Sequence, residues 1–298
     1  MKSIIIAGAG QFGHAICRLL NRNFVNILGY ADNRAADMQR KPEAYGESPI
    51  SNRNEGGEFE PPVYSFEAAV KLNPDTFIIG VGDEERSREM ETQIRKLGFE
   101  GTVFRIRDFY GMIDARMAVI REIALGIREL GIAGHIAELG VYKGDTAWQM
   151  NELFPEKNLY LFDTFSGFYS TDIEAEREHN YSRPGHVEFG DTSVDFVCSR
   201  LPYPERAVFC KGYFPESAEN LDGLRFSMVS LDADLYKPTL AGLEYFVPRL
   251  NKGGAIILHD YNNPAFAGVK AAVKDFEAAY GRLDKVPVCD LHGSCVIL

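Results

Sequence analysis

Cysteine is scarce and unpatterned in this chain. The five residues Cys17, Cys198, Cys210, Cys289 and Cys295 are odd in number, scattered, and never spaced as CxxC. That excludes a disulfide framework and a zinc knuckle as organising devices and leaves buried free thiols in a reducing compartment as the expectation. No run of Lys or Arg occurs, and 32 basic residues face 43 acidic ones, a formal net charge of −11. Nucleic acid needs a concentrated basic surface, so no DNA or RNA partner is expected. No apolar stretch approaches the roughly 20 residues of a membrane-spanning helix, and Met1 runs straight into a short apolar strand rather than a signal segment. The expectation is a cytoplasmic protein with no membrane partner. Low-complexity segments and short-period repeats are also missing.

What is present is an apolar content sufficient for a packed core, 45% hydrophobic in 298 residues, a length that suggests two domains of ordinary size. The opening reads strand, glycine turn, helix, strand: SIIIAGAG, a helical stretch near 11–22, then VNILGYADN. A long polar stretch from Asn33 to Pro62 follows, flexible or functional by its length. A helix near 65–72 then leads to the strand TFIIGVG, and a helix over 84–97 ends at Gly98 before the strand TVFRI. A first α/β domain is therefore predicted over residues 1–112 and a second over 113–298. The second opens with a helix from Asp114 to Leu130, whose Met117, Ile120, Ile123, Ala124 and Ile127 share a face that should pack on the following sheet. Strands HIAELGV, NLYLFD, AVFC, FSMVSLD and GGAIILHD alternate with helices, which predicts a mostly parallel sheet covered on both faces; the last two strands read as an antiparallel edge hairpin. The fold class is α/β, with two Rossmann-like domains.

Both glycine turns follow a strand and precede a helix, where the backbone can approach a ligand at a helix N-terminus. The first is GAGQFG, with Gly8, Gly10, Gln11, Phe12 and Gly13, and with Asp32 ending the second strand 22 residues beyond Gly10. A nucleotide site is the functional reading; close packing of helix on strand is the alternative. The second is ELGVYKGDT, where Glu138 closes a strand, Gly140 and Gly144 form the turn, and Asp163 closes the next strand 23 residues after Gly140. A carboxylate there can accept both ribose hydroxyls, but position alone does not choose among nucleotide ligands. Further on, DADLY puts Asp232 and Asp234 beyond one apolar strand, and HDY puts His259 and Asp260 at the end of the next. Clustered carboxylates repel unless a cation or proton lies between them, so a divalent ion is expected on Asp232 and Asp260, whereas Asp234 is read as capping the helix it precedes.

The stretches IAELGVYKGDT, LYLFDTFSGF, VFCKGYFPES, VSLDADLYKPTLAGLEYFVPRLNKGGAIILHDY and GVKAAVKDF, in this order, resemble the macrocin and mycinamicin O-methyltransferase family over residues 114–298. The resemblance implies a class I methyltransferase domain that binds S-adenosylmethionine and methylates a hydroxyl of a sugar or sugar-containing acceptor. It implies that Glu138, Gly140, Tyr142, Gly144 and Thr146 line the methionine end of the cofactor, that Asp163, Phe165 and Ser166 hold the ribose, and that Asp191 lies near the adenine; for Tyr142 and Phe165 ordinary packing is the other reading. It implies metal ligation by Asp232, His259 and Asp260, with Asp232 also accepting the hydroxyl proton. The family pattern has DDY where this chain has HDY; the expected ion is magnesium, with a transition metal as the alternative because His259 suits magnesium less. NNPAF, residues 262–266, is read as a turn, because the proline-aromatic motif of amine and nucleobase methyltransferases follows the fourth strand, occupied here by DADLY.

Residues 169–189 lack helix or strand periodicity and are read as a lid over the acceptor, with His179 and His186 as solvated loop residues. Residues 2–107 resemble the N-terminal nucleotide-sugar-binding domain of bacterial sugar acyltransferases, through IIIAGAGQFGHAICRLL, ILGYADNR and FIIGVGDEERSREMETQIRKLGF, which implies a nucleotide sugar as ligand; the polar insertion over 51–62 departs from that pattern. Two competing readings are a nicotinamide-dependent sugar oxidoreductase using GAGQFG, weakened by the lack of a YxxxK pair, and a noncatalytic nucleotide-sensing module. The oligomeric state, a homo-oligomer included, is open at this level.

Overall fold

The computed structural model describes residues 1–40, 61–109, 112–185 and 188–298. The chain divides into two compact units, Met1–Asp114 and Ala115–Leu298. Most of the polar stretch expected to be flexible or functional, residues 41–60, lies outside the described residues, as does His186.

The first unit runs β1 (Lys2–Ala7), α1 (Gln11–Leu19), β2 (Val25–Ala31), α2 (Ala35–Arg40), β3 (Val63–Tyr64), α3 (Phe66–Lys71), β4 (Thr76–Ile79), α4 (Glu84–Lys96) and β5 (Thr102–Arg105). Its sheet has the order β3-β2-β1-β4-β5, with every pair parallel. Ile5, Ala7, Phe66, Phe77, Ile79 and Ile94 form the core beneath one face. The helices start where the sequence offers an oxygen to their free amides: Ser65 accepts from the N–H of Ala68 and Asp83 from that of Arg86. Gly98, at φ +87°, follows α4 in the left-handed region that stops a helix. Helix α1 ends at Leu19, three residues before the expected limit, because Leu20 turns extended.

The second unit runs α5 (Ala115–Glu129), β6 (His135–Leu139), α6 (Asp145–Leu153), β7 (Leu159–Asp163), α7 (Ser170–Glu178), α8 (Val194–Arg200), β8 (Ala207–Lys211), β9 (Phe226–Leu231), α9 (Tyr236–Phe246), β10 (Leu250–Leu258), α10 (Ala267–Tyr280), β11 (Lys285–Pro287) and β12 (Cys295–Ile297). Its sheet has the order β11-β12-β10-β9-β6-β7-β8. All pairs are parallel except those of β12, which is antiparallel to both β10 and β11. Helix α5 uses the face its spacing announces: Ile120, Ala124 and Ile127 are buried against Ile136, Met150, Met228 and Ile257, with Met117 and Ile123 beside them.

From β6 the chain builds outward to β7 and β8 on one side, then returns to lay β9 and β10 on the other. The strand order therefore reverses between β6 and β9, and the carboxyl ends of these strands are where an open α/β sheet binds its ligand. Register sharpens this: Glu138 pairs with Ser230 and Leu139 with Leu231, so Gly140 and Asp232 leave the sheet side by side.

Two expectations require correction. The segment over 169–189 is not without regular structure, since Ser170–Glu178 is helical and buries Asp172, Ile173, Ala175 and Glu176. Its periodicity is masked because two of those four inward positions are acidic. His179, expected to be a solvated loop residue, is exposed in the turn that follows α7, where its ring stacks on Tyr181 with centroids 5.3 Å apart. The cysteines also differ from the expectation of burial: only Cys295 is buried, whereas Cys289 is exposed and the other three are intermediate.

Candidate functional site

The glycine turn after β6 is held by the carboxylate that closes β7. Asp163 Oδ2 accepts from the N–H groups of Val141, 2.7 Å, and Tyr142, 2.9 Å, while Oδ1 accepts from that of Phe165, 2.7 Å. A carboxylate has about four acceptor positions, so one remains on Oδ1. Gly140 sits at φ +86°, and a Cβ there would lie 1.9 Å from the carbonyl oxygen of Asp232, so no other residue fits. Gly144, at φ +76°, starts α6 with no side-chain cap, and Thr146 is buried in its first turn.

Tyr142 and Phe165 both hold positive φ, 48° and 52°. Such backbone costs of order 1–3 kcal/mol per residue and concentrates at ligand clamps. Phe165 is also buried, facing Phe209 at 6.1 Å, while Tyr142 meets Phe189 edge-on at 5.1 Å. Ser166 and Asp191 lie on the rim; Asp191 pairs with Lys143 Nζ at 2.6 Å. Glu138 is buried, and its Oε2 has no hydrogen-bond partner. Burial, reinforced by the negative charge of Asp232, pushes its carboxyl well above the usual range. An orphaned buried carboxyl beside a glycine turn suits a ligand that brings positive charge or donors, as the methionine end of S-adenosylmethionine does.

Next to this turn, Asp232, Asp234, His259 and Asp260 bring ligand atoms within 4.8 Å of one another. His259 Nδ1 is 2.7 Å from Asp232 Oδ1 and 2.9 Å from Asp260 Oδ2, yet neither imidazole nitrogen makes a directional hydrogen bond and neither reaches solvent. Arg116, from the first turn of α5, donates to Asp232 Oδ2 at 2.7 Å, and Asn263 Nδ2 donates to Asp260 Oδ1 at 2.5 Å. Burial alone would raise Asp232, but the charges of His259 and Arg116 hold it below the ordinary carboxylate range. Burial, with Asp232 and Asp260 nearby, pushes Asp234 well up. His259 is driven the other way: burial would lower it, and Asp232 raises it to about 10. Three carboxylates and a buried imidazole whose ligand atoms lie within 4.8 Å of one another form a donor set that suits a divalent cation.

The capping role expected of Asp234 is not what the structure has. Helix α9 starts without a side-chain cap from it; Asp234 holds φ +58° and turns into the cluster. The amide of Tyr236 instead donates to Glu176 Oε1 of α7 at 2.7 Å, and Ser182 Oγ donates to Glu176 Oε2. Arg116 and Glu176 escaped the sequence reading because neither belongs to a motif: one is a lone arginine at a helix start, the other a glutamate among glutamates. NNPAF, expected to be a turn, ends in a single 3-10 helical turn over Pro264–Phe266, with Asn263 accepting from the N–H of Ala265 before α10 begins.

In the first unit the three glycines of GAGQFG have different tasks. Gly8 needs its φ of +94°, and a Cβ on Gly13 would lie 1.9 Å from the oxygen of Gly8, so Gly13 serves packing. Gly10 has open space where a side chain would be. Gly8, Gly10, Gln11, Phe12, Asp32 and Arg86 belong to the lining of a crevice of about 700 Å³. Asp32 Oδ2 accepts from the N–H of Ala9, 3.1 Å, and Oδ1 from the N–H and Nε of Arg34, 2.9 and 3.2 Å. Burial raises its pKa, but these bonds and the Arg34 charge outweigh that and lower it.

Comparison with known proteins bears on the second unit above all. The profile of the macrocin-O-methyltransferase (TylF) family matches residues 81–296. A tetracenomycin-series rhamnosyl 4'-O-methyltransferase of Streptomyces olivaceus is 25% identical over 177 residues, 56% of this chain and 66% of that protein, just under two thirds of its length. Mycinamicin III 3''-O-methyltransferase of Micromonospora griseorubida is 26% identical over 175 residues, 55% of this chain and 68% of that protein. Among solved structures, the O-methyltransferase NovP superposes with a TM-score of 0.51 at 19% identity, covering 61% of this chain and 78% of its own. The calicheamicin methyltransferase CalS11 gives 0.50 at 17% identity, covering 72% and 86%. At these identities the structural likeness is one of fold, the α/β methyltransferase fold with a mostly parallel sheet. With the family profile running through the glycine turn, DADLY and HDY alike, the chain belongs to the macrocin-O-methyltransferase family.

Proposed function

We propose that this protein is an S-adenosylmethionine-dependent O-methyltransferase acting, with a divalent metal ion, on a hydroxyl of a sugar or sugar-containing small molecule. The observation that carries this reading is the convergence of Asp232, Asp234, His259 and Asp260 immediately beside the glycine turn of β6 and the orphaned Glu138. A methyl donor and an activated hydroxyl must meet in line, and the pairing of β6 with β9, which ends Gly140 and Asp232 side by side, supports such an arrangement. The rhamnosyl acceptor named for the Streptomyces olivaceus relative supports the choice of substrate class.

S-adenosylmethionine supplies the electrophilic sulfonium methyl when bound. A divalent ion supplies acidification and orientation of the acceptor hydroxyl when bound. The chain's own part is then defined. Asp163 keeps the glycine turn open and offers one acceptor position to ribose, with Phe165 and Ser166 beside it; Gly140 and Gly144 let the backbone approach; Tyr142 and Asp191 border the crevice. Asp232, His259 and Asp260 would hold the ion. Asp232 is kept anionic by the Arg116 guanidinium, so it can accept the hydroxyl proton, and its weakened basicity requires a hydroxyl already acidified.

The crevice of the first unit we assign to a nucleotide, a nucleotide sugar in particular. The open space at Gly10, at the N-terminus of α1, and the buried Asp32 at the end of β2 support it.

The test is calorimetry of the purified protein with S-adenosylhomocysteine, NAD and UDP-sugars, followed by methyl transfer to rhamnosylated or other deoxysugar acceptors with and without EDTA. Binding of S-adenosylhomocysteine together with EDTA-sensitive transfer is the expected result. Binding of NAD to the second unit in its place would overturn the proposal.

A further inference from the structure

The connection between β11 and β12 carries His292 to the metal-binding candidates, and it is built to hold that position. Asp290 Oδ1 accepts from the N–H groups of Gly293, 2.5 Å, and Ser294, 3.0 Å, and its Oδ2 accepts from Ser294 Oγ, 2.5 Å. The amide of Asn262, two residues beyond Asp260, donates to the carbonyl of Gly293 at 2.8 Å. Gly293 stands at φ +75°, where a Cβ would come within 3.0 Å of Asn262. The hairpin turn is therefore tied to the turn that follows HDY. It sets the His292 ring 4.9 Å from that of His259, centroid to centroid.

His259, Asp260 and His292 offer ligand atoms within 4.8 Å of one another, a second donor set that shares His259 and Asp260 with the carboxylate cluster. At the shared corner is the His259 side chain, only 11% exposed, with both ring nitrogens shielded from solvent and without a directional hydrogen bond. Magnesium favours oxygen ligands and sheds water reluctantly. Two imidazoles beside carboxylates instead suit a first-row transition dication such as Mn²⁺, Fe²⁺, Co²⁺ or Zn²⁺.

We propose that His292 completes the ion site as a second imidazole ligand, making this chain's centre a two-histidine carboxylate site selective for a transition dication over magnesium. The proposal rests on the reading of the carboxylate cluster as a cation site and adds a ligand from outside the family's motifs.

The experiment uses the full chain stripped with chelator. Titration with MnCl₂ and MgCl₂ measures preference, and pulsed EPR of the Cu²⁺-loaded protein counts coordinated imidazoles. Two imidazoles are expected in the wild type and one in His292→Ala, with the preference for Mn²⁺ over Mg²⁺ falling about tenfold or more in the variant. Should the variant fail to fold, the wild-type imidazole count still decides. A single imidazole in the wild type, or an unchanged preference in a folded His292→Ala, overturns the assignment while leaving a cation site in place. If neither ion binds the stripped wild type, the cation reading falls and this proposal with it.

Discussion

Gly10 and Gly13 look alike in sequence and differ in what surrounds them. A methyl group on Gly13 would collide with the backbone of Gly8, whereas one on Gly10 meets nothing within 4 Å. Gly13→Ala is therefore expected to destabilise the first unit by about 2 kcal/mol or more, as overpacking does. Gly10→Ala should leave the denaturation midpoint nearly unchanged and weaken nucleotide binding, and equal binding by both proteins would argue that the turn serves packing alone. Asp32 makes a second distinction at this scale. Its native pKa lies below the ordinary 3.8, so its contribution to stability is present above that value and is lost as the pH falls through the lower native one. Asp32→Asn should lower the melting temperature at pH 7, with the gap to wild type closing in acid; a gap independent of pH would mean that ionisation is not what matters. For Asp163→Ala, three backbone amides lose their acceptor together with the proposed ribose contact, and affinity for S-adenosylhomocysteine should weaken by about 1–3 kcal/mol in calorimetry.

Helix α7 is the element whose role changed most between sequence and structure. Glu176 joins it to the first turn of α9, so the segment read as a lid is bolted to the DADLY turn through the amide of Tyr236. Removing that acceptor strands a polar N–H at a helix start and loosens α7 from the DADLY turn. Glu176→Ala should cost about 1–3 kcal/mol in chemical denaturation and reduce kcat/KM, while Glu176→Gln, which keeps an acceptor oxygen, should recover most of both. If Ala and Gln behave alike, the carboxylate charge rather than the amide bond is what the site uses. Helix α5 has a comparable double duty: one face enters the core through Ile120, Ala124 and Ile127, and its first turn delivers Arg116 to Asp232.

Over the whole molecule, the proposed cofactor and metal contacts come from different strands: β6 and β7 frame the glycine turn, while the carboxylates and His259 follow β9 and β10. Binding and turnover should therefore separate. EDTA is expected to abolish methyl transfer while S-adenosylhomocysteine still binds, and Asp232→Asn should reduce turnover by about 100-fold or more with little change in cofactor affinity. His259→Asp, which restores consecutive aspartates, should shift metal preference towards magnesium without loss of fold. Full activity of metal-free enzyme on its acceptor would sink the metal-assisted mechanism. The family match starts at residue 81, inside the first compact unit, so the family's extent and the unit boundary near 114 do not coincide.

Local pattern determined much of this protein by itself. Alternating apolar strands and amphipathic helices, two glycine turns, and acidic residues closing successive strands are short-range features, and parallel strands carry such residues to one edge whatever fills the core. The face of α5, the edge hairpin and the meeting of Asp232 with Asp260 were legible for that reason. What only tertiary structure decided are contacts between residues distant in sequence: Arg116 on Asp232, Glu176 on Tyr236, His292 beside His259, and the packing that separates Gly13 from Gly10. Asp234 belongs with these. From sequence it precedes a helix and looks like its cap, but a left-handed backbone turns it into the cluster and a glutamate from another helix takes the amide. Propensity speaks for a residue's neighbours along the chain, while the partner of a buried charge is chosen by which elements the sheet order brings together.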